Sequence, residues 1–332
     1  MKQVTVDSLE SVVGQTQAVA LLRQAIARNR IAPAYLFAGP MGVGRSLAAQ
    51  SFLELLMSQG MPEAKWSQIW HRLQQRNHPD LLWVEPTYLH QGKRLTSAEA
   101  IAAGVKGKSP PQIRIDQVRE IVQFLGRPPM EASRSVVVLE DADTMNDAAA
   151  NSLLKTLEEP GQATVILIAR GVESLLPTLV SRCQRIPFYG LSSAAIAQVL
   201  QQVERQDILS HPEVLALAQG SPGAAIAAFE QLQTLPEELL QTVVEPPRSL
   251  RQALHLARQI AKELDKESQL WLVDYLQQVY WQKTPIRMPL QHLEKARHYL
   301  LRNVQPRLVW EVTLMAIMEI SQDDRTTNFK NT

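Results

Sequence analysis

The sequence predicts an α/β domain, a parallel sheet with helices on both faces, followed by a part that is almost entirely helical. A glycine-rich loop joins a short apolar run to a helix with apolar residues at helical spacing, which gives the order strand, loop, helix. Two more apolar runs, 135–139 and 164–169, alternate with amphipathic helices and have the composition of buried parallel strands. After Leu191 the strand signal fades.

Composition limits the classes of protein that fit. The 332 residues are enough for two or three domains, and 34 Lys and Arg against 33 Asp and Glu argue against a strongly basic nucleic-acid-binding surface. The single cysteine, Cys183, excludes a disulfide framework and a cysteine-based zinc site within the chain. The N-terminal residues lack the apolar core of a signal peptide, and no run of about 18 apolar residues occurs, so we expect a cytoplasmic protein without a membrane span.

The glycine-rich loop has the spacing of a phosphate-binding loop, G-x-x-x-x-G-K-[ST], with arginine in place of the lysine. Its glycines allow backbone N–H groups to turn inward at a helix N-terminus, where the helix dipole also favours anions. The serine hydroxyl remains available to a metal ion. These residues predict a degenerate nucleotide site made of Gly39, Gly42, Gly44, Arg45 and Ser46.

Elements around the loop are predicted from periodicity and cap residues. A helix is expected at 17–29, with Thr16 as its N-cap, and the Gly14-Gln15 turn before it fits a docking role and a place beside a nucleotide base equally well. Further along, a helical run with Trp66 and Trp70 is expected to serve packing, and residues 80–86 are expected to form a short strand closed by Pro86.

Residues 88–111 are predicted to form a long basic loop, because glycines are scattered along it and Pro110-Pro111 stops it. Four cations lie in this segment: Lys93, Arg94, Lys106 and Lys108. A solvated loop is the favoured interpretation, and contact with phosphate is the weaker one.

A second apolar run, 135–139, ends in Glu140 and Asp141. A β-branched run that ends in carboxylates indicates a buried strand whose tip faces a site, in the manner of a Walker B strand. There the carboxylates serve Mg²⁺ and polarise water. The usual order is Asp then Glu, and the reversed order here puts both metal coordination and water positioning in doubt. Asn146 is expected to cap a helix at 147–158.

Arg182, in the triplet Ser181-Arg182-Cys183, follows a short predicted helix. Two interpretations are open: a surface ion pair, and an arginine offered to the phosphates of a neighbouring subunit. Taken without further context, the residues favour the ion pair.

The order of the motifs, taken together, resembles the AAA+ subunits of bacterial clamp loaders over nearly the whole chain. The segments that carry the resemblance are VVGQ, GPMGVGRS, HPDLLWVEP, IRIDQVREI, VVVLEDADTMNDAAANSLLKTLEEP, SRCQRIPF, GSPGAA and LRNVQPRLVWE. The resemblance implies a RecA-like AAA+ domain at 1–189, a small helical lid at 190–230 and a helical collar for oligomerisation at 231–332.

The resemblance also implies partners and roles. The partners would be the gamma/tau motor subunits and the delta subunit in a hetero-pentamer, the sliding clamp, and primer-template DNA through the complex. Arg182 would be an arginine finger acting in trans on a motor subunit's ATP. The chain would be part of the DNA-directed DNA polymerase holoenzyme, a nucleotidyltransferase, with weak or no ATPase activity of its own.

Departures from the family pattern support a scaffold rather than a motor. Arg45 replaces the lysine, the pair Glu140-Asp141 is inverted, and Gly223 stands where motor subunits carry a sensor arginine. ATP or ADP with Mg²⁺ still fits the remaining glycines. Residues 60–79 contain no cysteine, so the four-cysteine zinc module of many relatives is not expected. The alternatives are an active AAA+ ATPase, such as a motor subunit or a helicase loader, and an interaction module without a nucleotide role.

Overall fold

The computed structural model describes residues 8–104, 110–158, 161–283 and 287–328. The chain forms two compact units, Met1–Val199 and Leu200–Thr332. The finer division into an α/β domain, a lid and a collar stays a prediction. No helix among the described residues is both long and apolar enough to cross a membrane.

The first unit is built on a parallel sheet. The strands of this unit are β1 (Ala34–Ala38), β2 (Leu81–Val84), β3 (Tyr88–His90), β4 (Lys93–Leu95), β5 (Ser135–Leu139), β6 (Ala163–Ala169) and β7 (Gln184–Pro187). Five of them pair in the order β2-β5-β6-β1-β7, each parallel to its neighbour, and β3 and β4 form a separate antiparallel hairpin. All carboxyl ends of the five-stranded sheet therefore lie at one edge.

Helices cover both faces of this sheet. The helices of the first unit are α1 (Thr16–Ala27), α2 (Arg45–Ser58), α3 (Glu63–Gln74), α4 (Ser97–Ala102), α5 (Ile115–Leu125), α6 (Asp147–Glu158) and α7 (Pro177–Val180). Alternate residues of β1 point to opposite faces. Tyr35 packs against Phe52 of α2 with ring centroids 5.2 Å apart, whereas Leu36 belongs to a buried cluster with Ile121 of α5 and Leu153 of α6. The predicted fold class is confirmed.

Several predicted elements differ at their ends. Asn146 caps α6 as predicted, since its Oδ1 accepts from the backbone N–H of Ala149 at 2.9 Å. Thr16 is the first residue of α1 rather than its cap, and Gln15 occupies the cap position. The strand β7 was not predicted from the sequence, because its first two residues are exposed and polar and give no apolar run.

The prediction of a long loop at 88–111 is wrong. The hairpin β3–β4 turns at Gln91 and Gly92, which both have left-handed backbone angles, φ 50° and 77°. Helix α4 then begins with a capping box, in which Thr96 and Glu99 bond each other's backbone N–H groups. The two lysines at 106 and 108 lie outside the described residues.

The second unit is helical. Its helices are α8 (Ser193–Gln202), which crosses the division, α9 (Pro212–Ala218), α10 (Pro222–Thr234), α11 (Glu237–Val243), α12 (Leu250–Glu263), α13 (Lys266–Lys283), α14 (Arg287–Leu301) and α15 (Pro306–Asn328). At the core, the fully buried Trp310 donates to Gln269 at 3.0 Å, and Gln269 donates to the carbonyl of Leu264 at 2.8 Å. The buried polar groups of this core thus satisfy one another.

Asp80, just before β2, fastens the segment that leads into β5. Its carboxylate accepts backbone N–H groups of Met130, Glu131 and Ala132 at 2.6, 2.8 and 2.7 Å. Burial alone would raise the pKa of Asp80, but the three backbone bonds outweigh it and the pKa lies below its usual value. The ionised carboxylate therefore stabilises the folded protein.

We expect Asp80→Asn to lower the free energy of unfolding by about 2 kcal/mol at neutral pH, because the backbone donors lose a charged acceptor. A carboxylate with a depressed pKa stabilises above its unfolded pKa of about 4 and ceases to do so as pH falls through the folded value. The wild type should therefore lose part of its advantage over the variant below about pH 4. Urea unfolding at both pH values measures this, with the exposed Asp116→Asn as control, and a pH-independent difference would contradict it.

Candidate functional site

The glycine loop lies at the carboxyl end of β1 and runs into α2. The N–H group of Gly39 donates to the carbonyl of Ala169 at the end of β6, at 3.2 Å. A Cβ at Gly39 would lie 2.3 Å from the backbone oxygen of Phe188, so only glycine fits there. Gly42 and Gly44 have left-handed φ angles of 75° and 97°, and Gly44 is the N-cap of α2. The predicted glycines therefore shape the loop.

Gln15 fixes the loop from the side. Its side-chain Nε2 donates to the carbonyl of Val43 at 3.2 Å and to that of Tyr189 at 2.7 Å, and its Oε1 accepts the N–H of Tyr189 at 3.1 Å. The sequence left open whether Gln15 lies beside a nucleotide base or serves docking. The contacts show its amide bonded to the loop backbone, so its role in this structure is to hold the loop.

Arg45 is buried, with 5% of its surface exposed. Its Nη2 lies 4.0 Å from Oδ1 of Asp141, whereas its Nη1 is buried without a hydrogen-bond partner. Burial lowers the pKa of Arg45, and the carboxylates of Asp141, Asp143 and Glu140 oppose the shift. An arginine remains charged in proteins, so a full positive charge lies at the base of the loop.

Glu140, at the tip of β5, is held by donors on three sides. Ser46 Oγ donates to its Oε1, and Trp83 Nε1 donates to its Oε2 at 2.9 Å. Arg76 approaches Oε2 to 3.7 Å while its guanidinium lies 4.5 Å from the centre of the Trp83 ring. Trp83 and Arg76 were missed from the sequence. The strand position of Trp83, parallel to β5, is the one signal that could have indicated it.

Asp141 follows at once with a left-handed φ of 44°. Burial raises the pKa of Asp141, as do Asp143 and Glu140, while Arg45 lowers it. Asp143 in turn is paired with Arg170, whose Nε lies 3.3 Å from Oδ2. The tip of β5 therefore gathers carboxylates with guanidinium groups close by, although Arg76 is shared with Glu85, which lies nearer to it at 3.3 Å.

Arg182 lies at the opposite edge of the sheet. It comes two residues before β7, which runs parallel to β1, whereas the glycine loop follows the end of β1. Its Nη2 and Nε bond Glu158 at 2.5 and 3.1 Å, and its Nη1 donates to the carbonyl of Thr178 at 2.9 Å. The surface ion pair that the residues alone favoured is present, and the side chain remains 35% exposed.

Metal ligands do not cluster in the described part of the chain: no group of three or more His, Cys, Asp or Glu side chains there could hold a metal ion. That includes the carboxylates at the tip of β5. The expectation that the chain carries no zinc stays a prediction.

Comparisons with known proteins agree with this architecture. Residues 14–192 match the family described as DNA polymerase III, delta subunit, and residues 194–317 match the cyanobacterial DNA polymerase III delta prime C-terminal domain. The chain is 34% identical over 212 residues to DNA polymerase III subunit delta' of Pseudomonas aeruginosa, covering 61% of this chain and 57% of that one. It is 31% identical over 202 residues to subunit delta' of Bacillus subtilis, covering 59% and 53%.

The chain thus spans little more than half the length of these curated relatives. A weaker likeness exists to the solved structure of a DNA polymerase III gamma subunit-related protein from Thermotoga maritima, at 20% identity, with 91% of this chain and 99% of that one covered and a TM-score of 0.49. The first family model covers more than half of the 332 residues. The chain therefore belongs to the DNA polymerase III delta-subunit family, with a delta-prime C-terminal domain in its second half.

Proposed function

We propose that the chain is the delta-prime subunit of a DNA polymerase III clamp loader, a cytoplasmic component of the replication machinery. It acts as a stator that binds gamma/tau motor subunits and a delta subunit in a hetero-pentamer and helps to load the sliding clamp on primed DNA. Family matches over nearly the whole chain support this assignment. The proposal also assigns Arg182 as a finger that serves a neighbour's ATP.

The position of Arg182 is the observation that carries this role. β7 has four residues, and at about 3.3 Å per residue it separates Arg182 from the carboxyl edge of the sheet by roughly 13 Å. Arg182 cannot serve its own glycine loop across that span, but it can serve a loop presented by another subunit. Glu158 and Thr178 hold the guanidinium in place at the surface. In the assembly, a γ-phosphate would replace Glu158, since phosphate oxygens accept a guanidinium in the same bidentate way.

The chain's own site supports a stator rather than a motor. The guanidinium of Arg45 is buried beside Asp141. The compact ammonium of a lysine at this position would instead reach the phosphates of a nucleotide. Gly223 lies in the first turn of α10, after the cap formed by Ser221, and offers no side chain to a sensor role. A nucleotide fits the loop itself, because a phosphate would supply the missing partner of Arg45 Nη1. Phosphoryl transfer needs an ordered water and metal, and the residues here supply neither in the usual form.

We expect Arg182→Ala to reduce turnover at the neighbouring motor site by about 10³-fold or more, because the transition state loses its arginine finger. The measurement is the DNA-stimulated ATPase of the reconstituted loader, with subunit assembly checked by size-exclusion chromatography. Arg119→Ala, which removes an exposed arginine from α5, is the matched control.

The Glu158→Gln variant distinguishes a role of Arg182 as an arginine finger from a role only in the ion pair with Glu158. If Arg182 served only Glu158, both variants would have the same small effect, since exposed pairs contribute about 0–1 kcal/mol. The proposal requires that Glu158→Gln keeps the ATPase and Arg182→Ala loses it. Unchanged ATPase in Arg182→Ala would remove the finger role.

We expect no measurable ATP hydrolysis by the chain alone, and stimulation only when it is mixed with its motor partner. A colorimetric phosphate assay on the chain, the partner and the mixture tests this. Turnover by the isolated chain would favour an active AAA+ ATPase instead. Equal ATPase with and without the chain would favour an interaction module that has no part in nucleotide chemistry.

A further inference from the structure

We propose that the exposed side of α12 binds the phosphate backbone of DNA in the assembled loader. This inference rests on the proposed function for the choice of DNA as the partner. The surface, which we call the basic stripe, consists of four residues on one side of the helix: Arg251, His255, Arg258 and Lys262. Three observations support it: the placement of these residues, their freedom from ion pairs, and the cost of their charges to the helix.

The first observation is that α12 has a buried side and a basic side. The stripe residues follow one another at intervals of four, three and four positions, so they lie on one face of the helix, and all four are exposed. From its first to its last residue the stripe is roughly 16 Å long, at about 1.5 Å per residue. The buried side is apolar and belongs to the core of the second unit; its residues are Ala253, Leu256, Ala257 and Ile260.

The second observation is that the stripe is left without carboxylate partners. Within the described residues no ion pair includes a member of the stripe, whereas other arginines of the second unit are paired. Those pairs are Arg205 with Glu230 at 3.1 Å, Arg307 with Glu311 at 2.8 Å, and Arg297 with Asp274. Glu263, in the last turn, is the one acidic residue of α12. The arginines and the lysine of the stripe therefore present three formal positive charges to a partner.

The third observation is that these charges do not help α12 to form. Arg251 is the second residue of the helix, where the helix dipole disfavours a cation. Arg258 and Lys262 are four positions apart, a spacing at which like charges repel each other. No ion pair within the described residues offsets either effect. A phosphate backbone would offset both, because it places negative charges beside the guanidinium and ammonium groups.

A DNA strand suits the length and the chemistry of the stripe. One strand of duplex DNA carries about one phosphate per 3.4 Å of axis, so about five phosphates lie along a surface of this length. Gln259, half-buried next to Arg258, has an amide that can donate to a further phosphate oxygen. Contacts of this kind carry no sequence information, so we expect the stripe to bind DNA of any sequence. The near balance of charge over the whole chain restricts such binding to a local surface.

The test is the salt dependence of DNA binding by the reconstituted loader, measured by fluorescence anisotropy of a labelled primer-template. The variant carries Arg251→Gln, Arg258→Gln and Lys262→Gln together. We expect the slope of log affinity against log salt to become shallower by about 2 to 3, since each lost phosphate contact removes about 0.7 to 0.9. The affinity at about 100 mM salt should fall by tenfold or more. An unchanged slope would overturn the proposal.

A second triple variant is the matched control, because it removes three cations of the same unit that already have carboxylate partners. It carries Arg205→Gln, Arg297→Gln and Arg307→Gln, and its slope should stay within about half a unit of the wild-type slope. An equal loss of slope in this control would assign the binding to net charge and contradict the proposal. Arg251→Lys with Arg258→Lys keeps the charge and should keep the slope, since an ammonium also binds phosphate.

Urea unfolding provides a readout that a structural role of the stripe would move in the opposite direction. The stripe variant with three glutamines should have a urea midpoint equal to or above that of the wild type. Glutamine has a helix propensity close to those of arginine and lysine, and the repulsion between like charges is removed. A lower midpoint would mean that the cations stabilise the fold, which would contradict the third observation.

Assembly and ATPase activity separate this inference from the proposed function. If the stripe variant lost assembly with the motor subunits in size-exclusion chromatography, the stripe would be a docking surface for an acidic protein, and the DNA proposal would be wrong. If assembly and the Arg182-dependent ATPase hold while the salt slope does not change, the inference is wrong and the stator role stands. Failure of the wild-type chain to assemble would instead remove the stator role, and with it the choice of DNA as the partner.

Discussion

Parallel pairing of the strands is the constraint on which the rest of the first unit depends. Because all five strands point the same way, the end of β1 and the end of β5 meet at one edge, and the residues before β7 meet at the other. One edge therefore collects the glycine loop and the carboxylates, while Arg182 is displayed on the other. The glycine loop and Arg182 are therefore separated by the length of the strands rather than gathered in one site.

The buried Arg45 and the acidic tip of β5 depend on each other. A guanidinium held away from water needs compensating charge, and the carboxylates of Asp141, Asp143 and Glu140 provide it in part. The guanidinium is planar and larger than a lysine ammonium, and here one of its terminal nitrogens faces Asp141 at 4.0 Å while the other has no hydrogen-bond partner. Arg45 of the loop and the carboxylates at the tip of β5 therefore form a single electrostatic arrangement.

The sequence predicted the elements that have a clear hydrophobic period or a recognisable cap residue. It did not predict very short strands or contacts between residues that are far apart in the sequence. The run 135–139, its two carboxylates and the cap Asn146 were predictable, because alternation, β-branching and cap chemistry are local. The hairpin β3–β4 was missed since strands of three residues are too short to show a period. Trp83 and Arg76 were missed for another reason: both meet Glu140 only after β2 and β5 pair.

The amide of Gln15 has a mechanical consequence. It joins the turn before α1 to the loop at Val43 and to the backbone at Tyr189, which lies 174 positions after Gln15. The side chain of Gln15 thus hydrogen-bonds a residue near the end of the first unit and a residue in the glycine loop, and it lies near the start of the unit itself. Gly14 allows the backbone before Gln15 to lie close to Leu191, since a Cβ at Gly14 would come within 2.9 Å of the Leu191 side chain. A displacement of the chain just after β7 would therefore reach the glycine loop through the hydrogen bonds of a single side chain.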